Sequence, residues 1–248
     1  MSQFFSLQLA PDTLSTDAYH LGVLPEQLKS IDVTVHATIT RLPEPQLQLV
    51  YHIHIPNASL ADQLKWPEWN KDNVNFLDYL WQQTCLECFI AVTSSENYVE
   101  INVSPSGNYA LYQFQDYREP SILPPMRLLQ ADGKKSAHIQ WLNQPIKHKT
   151  ISTSKCVLDK ADRLISTSHF NYKSSFGIAL NQLSPSLFDD ELFSIATYDP
   201  DNKTADGIYF DQIHPCVILW FGEVALYFAT SHTSPPDFHQ RRHWSNFS

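Results

Sequence analysis

Hydrophobic and polar residues alternate along residues 31–42. Ile31, Val33, Val35, Ala37 and Ile39 fall on one parity, and Asp32, Thr34, His36, Thr38 and Thr40 on the other. Period two, with β-branched residues throughout, predicts a strand with one buried face. Pro43-Glu44-Pro45 interrupts it. Residues 46–55 resume the alternation, with Leu47, Leu49, Tyr51, Ile53 and Ile55 on one side, so the two segments predict a hairpin. The alternation is lost over residues 56–80. Trp66-Pro67-Glu68-Trp69 reads there as an aromatic-bearing loop. Its rings either cap the open end of a sandwich or contact a ligand.

From residue 86 the pattern returns. Residues 86–92, 98–104 and 108–115 predict three consecutive strands of a meander. Ser104-Pro105-Ser106-Gly107, with proline second and glycine fourth, suits a type I turn between the last two. Further strands are expected at 137–142, 150–158, 164–170, 176–180, 216–221 and 223–230. Residues 184–193 open on Ser-Pro with acidic residues early and predict a short helix, and 199–207 a polar loop. No Gly/Ser-rich linker or repeat divides the chain. The expectation is a single all-β domain over residues 1–248, an antiparallel β-sandwich with at most one or two short helices.

Composition narrows the function classes. Six glycines stand against 16 prolines, and no GxGxxG or Walker-type phosphate loop is present. With 17 basic and 26 acidic residues the net charge is -9, which argues against a nucleic-acid partner. The basic cluster His239, Arg241, Arg242 and His243 reads as a short solvated tail. Four cysteines do not make a disulfide framework in a chain of 248 residues. Cys85 and Cys88 fit a CxxC pattern, but residues three apart on a strand point to opposite faces and cannot chelate zinc together. The N-terminal residues lack a basic segment followed by an apolar one, and no apolar run reaches about 18 residues. A cytoplasmic protein with reduced thiols, no membrane partner and no cofactor is expected.

Two stretches carry a family resemblance. The first runs from Leu80-Trp81-Gln82 through Cys85-Leu86-Glu87-Cys88-Phe89 and Tyr98-Val99-Glu100-Ile101-Asn102-Val103-Ser104-Pro105-Ser106-Gly107-Asn108-Tyr109 to Tyr112, Phe114, Tyr117 and Arg118. The second is Ser231-His232-Thr233-Ser234-Pro235-Pro236-Asp237-Phe238-His239. Together they resemble the bacterial DOMON-like domains, relatives of the family-9 carbohydrate-binding modules. The resemblance implies a β-sandwich that binds a sugar or, in other DOMON branches, haem. In the carbohydrate-binding relatives an aromatic residue stacks on the sugar and an acidic residue shortly after it binds hydroxyls. Trp81 and Glu87 match that spacing. A second stacking aromatic comes from a late strand in those relatives. Its counterpart here is Tyr227 or Phe228, which departs from a tryptophan pair.

The residues themselves point the same way. Alternation places Glu87 with Cys85 and Phe89, Glu100 and Asn102 with Tyr98, and Tyr112 with Ala110 and Phe114. If these strands are neighbours, Glu87, Glu100, Asn102 and Tyr112 line one polar surface with aromatic flanks, as a sugar site requires. Glu100 and Asn102 read equally as the solvated face of a half-exposed sheet. Glu87 is the one charge in an apolar strand and needs a partner, for which Arg118 is the candidate, or a ligand. His36, His52 and His54 share a hairpin face, as a metal site or an exposed polar face. Haem would need histidine or methionine ligands, Met126 among them. Glu87 and Glu100 also make a candidate glycosidase pair, and Asp189-Asp190-Glu191 a solvated helix start. The expectation is therefore a non-catalytic sugar-binding module using Trp81, Glu87, Glu100, Asn102, Tyr112, Arg118 and Phe228. A saccharide-acting enzyme, a protein-interaction domain and a haem-binding domain are its rivals.

Overall fold

A computed structural model describes residues 1–41, 44–130, 132–154, 165–183 and 210–248, with the backbone alone at 144–154 and 165–169. Cys156, Asp189-Asp190-Glu191, the expected helix at 184–193 and the expected loop at 199–207 lie outside the described residues. The strands are β1 (Ser2–Leu9), β2 (Asp32–Thr40), β3 (Gln46–Ile55), β4 (Cys85–Ala91), β5 (Tyr98–Val103), β6 (Tyr109–Phe114), β7 (Gln140–Ser154), β8 (Ile165–Ala179), β9 (Gln212–Phe221), β10 (Val224–Ala229) and β11 (Ser245–Asn246). All their pairings are antiparallel.

The strands form one curled sheet in the order β6-β5-β4-β9-β10-β1-β2-β3-β8-β7, with β11 on β9. The curl occurs at β1. Phe5 and Leu7 pair along β2, while Gln8 and Leu9 pair with Ala229 and Phe228 of β10. One strand thus belongs to both layers of the expected sandwich. Val33, Val35, Leu49, Tyr51 and Ile53 from one layer meet Leu86, Cys88, Ile90, Ile101, Val217 and Phe228 from the other in a single buried cluster. These are the inward parities of the alternation. The Tyr51 hydroxyl crosses the core and donates to the Glu87 carbonyl at 2.6 Å. Removing it should cost about 1 kcal/mol, because that carbonyl has no water to turn to. Tyr51→Phe is therefore expected to lower the urea midpoint with an unchanged slope.

Among the described residues there are three short α-helices, where at most one or two were expected: α1 (Leu14–Leu21), α2 (Pro25–Lys29) and α3 (Ala58–Gln63). At five to eight residues each is too short to show a helical period. Local chemistry marks them instead. Gly22 takes φ 66° after α1, Pro25 opens α2, and the Asn57 side chain accepts the Leu60 amide at 3.0 Å before α3.

The strand expected over 46–55 is β3, and in the turn between β5 and β6 the Gly107 amide donates to the Ser104 carbonyl at 3.0 Å. Of the segments expected as separate strands, 140–142 and 150–154 belong to one strand, β7, and 165–170 and 176–179 to one strand, β8, while 155–158 and 164 lie outside the described residues. The β7–β8 ladder absorbs the interruption through register shifts around Asn143. Pro145 is tolerated because β7 is an edge strand.

Candidate functional site

The strands β4, β5, β6, β9 and β10 are neighbours, so the outward parity of each contributes to one surface. On it lie Cys85, Glu87 and Phe89; Tyr98, Glu100 and Asn102; Tyr112 and Phe114; His214 and Ile218; and Tyr227. The surface is not solvated. Glu100 is 5% exposed and Asn102 is fully buried, which corrects the reading of a half-exposed sheet. A second hydrophobic cluster covers it, with Leu80, Phe238 and Trp244 packed over Phe89, Tyr98 and Phe114. This explains why β4 and β5 read as nearly continuous apolar strands: both of their faces are buried.

Within that cover a cavity of about 470 Å³ remains. Trp81, Glu87, Glu100 and Arg118, four of the seven residues singled out from the sequence, line it. Asn102 and Tyr112 stand behind the lining. Asn102 donates to Glu100 Oε1 at 2.7 Å, and the Tyr112 hydroxyl donates to Asp78 at 3.0 Å. Asp78 also accepts from Arg127 at 2.7 Å. It thereby holds the short turn Leu80–Gln82, and with it Trp81, against the sheet. Phe228 requires a correction. It is fully buried on the inward parity of β10, in the core between the layers. Its neighbour Tyr227, one residue away and therefore on the other face, lines the cavity with Ile218.

Sequence reasoning gave no site role to Asp237, Phe238, His239 or the segment 120–125, which complete the walls. Asp237, not Glu87, is the partner of Arg118, at 2.8 Å. No local signal announces a pairing across 119 residues. Arg118 sits at φ 53°, the left-handed region that costs a non-glycine residue about 1 kcal/mol or more. Its amide donates to the Tyr98 hydroxyl at 3.0 Å and its guanidinium to Asp237, and these bonds fix that conformation. Burial alone would raise the Asp237 carboxyl. Hydrogen bonds from Tyr117 and Arg118 outweigh it and hold the group below the usual range.

The floor of the cavity holds the unusual chemistry. Glu87 is 2% exposed, and its Oε1 accepts no hydrogen bond among the described residues. Burial, then the charge of Glu100, push its carboxyl well above the ordinary range, and the Cys85 thiol offsets a part. Burial pushes Glu100 up to about 7, against the Asn102 hydrogen bond and the Arg118 charge. His239 is lowered to about 3 by burial and by Arg118, so it is neutral. The Tyr98 hydroxyl already accepts the Arg118 amide, and its own proton points to His239 Nδ1 at 2.7 Å. In the tautomer that accepts the Tyr98 proton at Nδ1 the imidazole proton is on Nε2, 3.8 Å from Glu100 Oε2, too far for a hydrogen bond.

Other expectations resolve simply. Cys85 packs in the outer cluster and Cys88 between the layers, so the CxxC pair is split by the sheet. His36 Nε2 is bonded to Ser2 and His54 Nδ1 to Asn171. Among the described residues no group of three His, Cys, Asp or Glu side chains is placed to hold a metal ion. Trp66 packs on Tyr172 at 4.1 Å and Trp69 on Trp141 at 4.7 Å, so this loop caps the sandwich. The basic cluster is not a solvated tail: Arg241 donates to the Val92 carbonyl at 2.9 Å and to Gln212. Haem does not fit the cavity. Among the described residues its one lining histidine, His239, has Nδ1 engaged and Nε2 turned to a carboxyl, and Met126 is not in the lining. Among the described residues no helix is long and apolar enough to cross a membrane.

No protein-family model and no curated protein sequence matches the chain. Among solved structures it is similar to a candidate carbohydrate-binding protein from Bacteroides uniformis. The identity is 10% and the TM-score 0.44, over 98% of this chain and 84% of that one.

Proposed function

We propose that the chain is a non-catalytic binding module for a sugar or sugar-like small molecule, bound in the cavity between Trp81, Tyr227 and the floor carboxyls. The observation that carries this is the unpartnered Oε1 of Glu87, buried beneath aromatic walls. A buried acceptor without a donor is costly, and a ligand hydroxyl supplies the donor. Ring faces of Trp81 and Tyr227 offer apolar surface for the C–H face of a sugar. The DOMON-like resemblance supports the same reading.

The test is calorimetry with a panel of mono- and disaccharides. At least one sugar is expected to bind, and Trp81→Ala and Glu87→Ala are each expected to weaken it tenfold or more. Absence of binding across the panel, or affinity untouched by both substitutions, counts against the proposal.

A saccharide-acting enzyme is the second reading, favoured by one observation. Glu87 and Glu100 share the cavity, and a carboxyl near 7 suits general acid–base work at neutral pH. Turnover of aryl glycosides that is lost in Glu100→Gln would establish it.

A further inference from the structure

We infer that the ligand of this cavity carries a protonated amine, which docks between Glu87 and Glu100. The inference rests on reading the cavity as a small-molecule site, and it names the charge of what enters. The register of β4 on β5 sets Glu87 opposite Asn102 and Phe89 opposite Glu100. The two carboxyls are therefore diagonal neighbours on one face, their Cβ atoms about 7 Å apart. An ammonium, with three donors, can bridge two carboxylates at that spacing.

Charge accounting points the same way. The cavity lining holds one permanent cation among the described residues, Arg118, and Asp237 neutralises it. Arg118 is also half-exposed, at the rim. Among the described residues neither Glu87 nor Glu100 is ion-paired with a lysine or arginine; the charge of Arg118 reaches Glu100 only from the rim, and His239 beside Glu100 is neutral. Two buried carboxyls with one unsatisfied oxygen and no ion-paired cation among the described residues are best complemented by a donor that also carries positive charge. The rings of Trp81 and Tyr227 add faces that attract a cation.

The other groups facing the pair do not titrate near neutrality. Facing Glu87 are the Cys85 and Cys216 thiols and the Tyr51 and Tyr227 phenols, all raised chiefly by burial. Facing Glu100 are Tyr98 and Tyr112, also raised, together with Arg118 and His239. Of these groups Glu100, pushed up to about 7, is the one that changes charge as the pH rises from 5 toward and past 7. Ammonium binding therefore displaces a proton from the pair, and affinity rises with pH over that window.

Calorimetry of the full chain with glucose, glucosamine, N-acetylglucosamine and cyclohexylamine, at pH 5 and pH 7, tests this. Glucosamine is expected to bind at least tenfold more tightly than glucose or N-acetylglucosamine at pH 7. The preference should shrink severalfold at pH 5. Buffers of different ionisation enthalpy should report release of about one proton with glucosamine and none with glucose. Glu87→Gln and Glu100→Gln, each checked for folding by its melting transition, should each abolish the preference, and either one suffices. Equal affinity for glucosamine and glucose overturns the inference and leaves the sugar reading standing. Binding of cyclohexylamine with no sugar bound sustains the inference and overturns the sugar reading. No binding by either amine overturns the inference whatever the neutral sugars do.

Discussion

Truncating Phe228 to alanine is expected to lower the unfolding free energy by about 3–5 kcal/mol, while leaving the cavity lining in place. The ring is fully buried between the layers, on the parity of β10 that shares the inward face with Leu86 and Val217. Its loss opens a void that a close-packed sandwich cannot collapse to fill. Tyr227→Ala should do the reverse. That ring is 36% exposed and borders the cavity, so its loss should cost about 1 kcal/mol or less. It should instead weaken ligand binding. Urea denaturation and calorimetry on the two variants separate the effects. A Phe228→Ala protein as stable as Tyr227→Ala would show that the faces of β10 are assigned the wrong way round.

Glu100→Gln is expected to gain about 2–3 kcal/mol relative to the parent chain as the pH rises from 5 to 8. Folding moves this carboxyl from its ordinary 4.5 up to about 7, chiefly through burial. The folded state then holds the proton more tightly than the unfolded one. The contribution to stability is complete below pH 4.5 and is lost as the pH rises through 7. A glutamine carries no such dependence. His214 and His239, both lowered to about 3 chiefly by burial, act in the opposite sense, losing stability as the pH falls from 6.5 toward 3. The difference between variant and parent, measured by urea unfolding at each pH, removes their contribution. A flat difference across pH 5–8 would mean that Glu100 titrates as an exposed carboxyl.

Much of the architecture was legible because alternation is a direct record of burial on one face. The hairpin β2–β3 is the clearest case: Val33 to Ile53 and Val35 to Tyr51 pair as the parities require. The strand β1 escaped notice because only Phe5 and Leu7 of its eight residues are buried, and Phe4 is 66% exposed. For the site, alternation placed Glu87 and Glu100 on a common face. It could not show what covers that face. The segments bearing Arg118 and Asp237 are irregular, and irregular backbone leaves no period in the sequence. The alternative of a solvated face for Glu100 and Asn102, and Arg118 as the candidate partner of Glu87, both failed for that reason. Phe228 was misplaced by one residue, the smallest error possible on a strand and one that carries a side chain to the opposite face.

The double membership of β1 bears on synthesis. During translation β1, β2 and β3 leave the ribosome as an isolated three-stranded ribbon, while the partner for Gln8 and Leu9 is still some 220 residues downstream in β10. The nascent chain must carry an unsealed edge and an uncovered apolar face for most of its elongation, a state prone to self-association. Chaperone demand should therefore be set by the arrival of residues 224–229, more than by the intrinsic stability of the finished two-layered sheet.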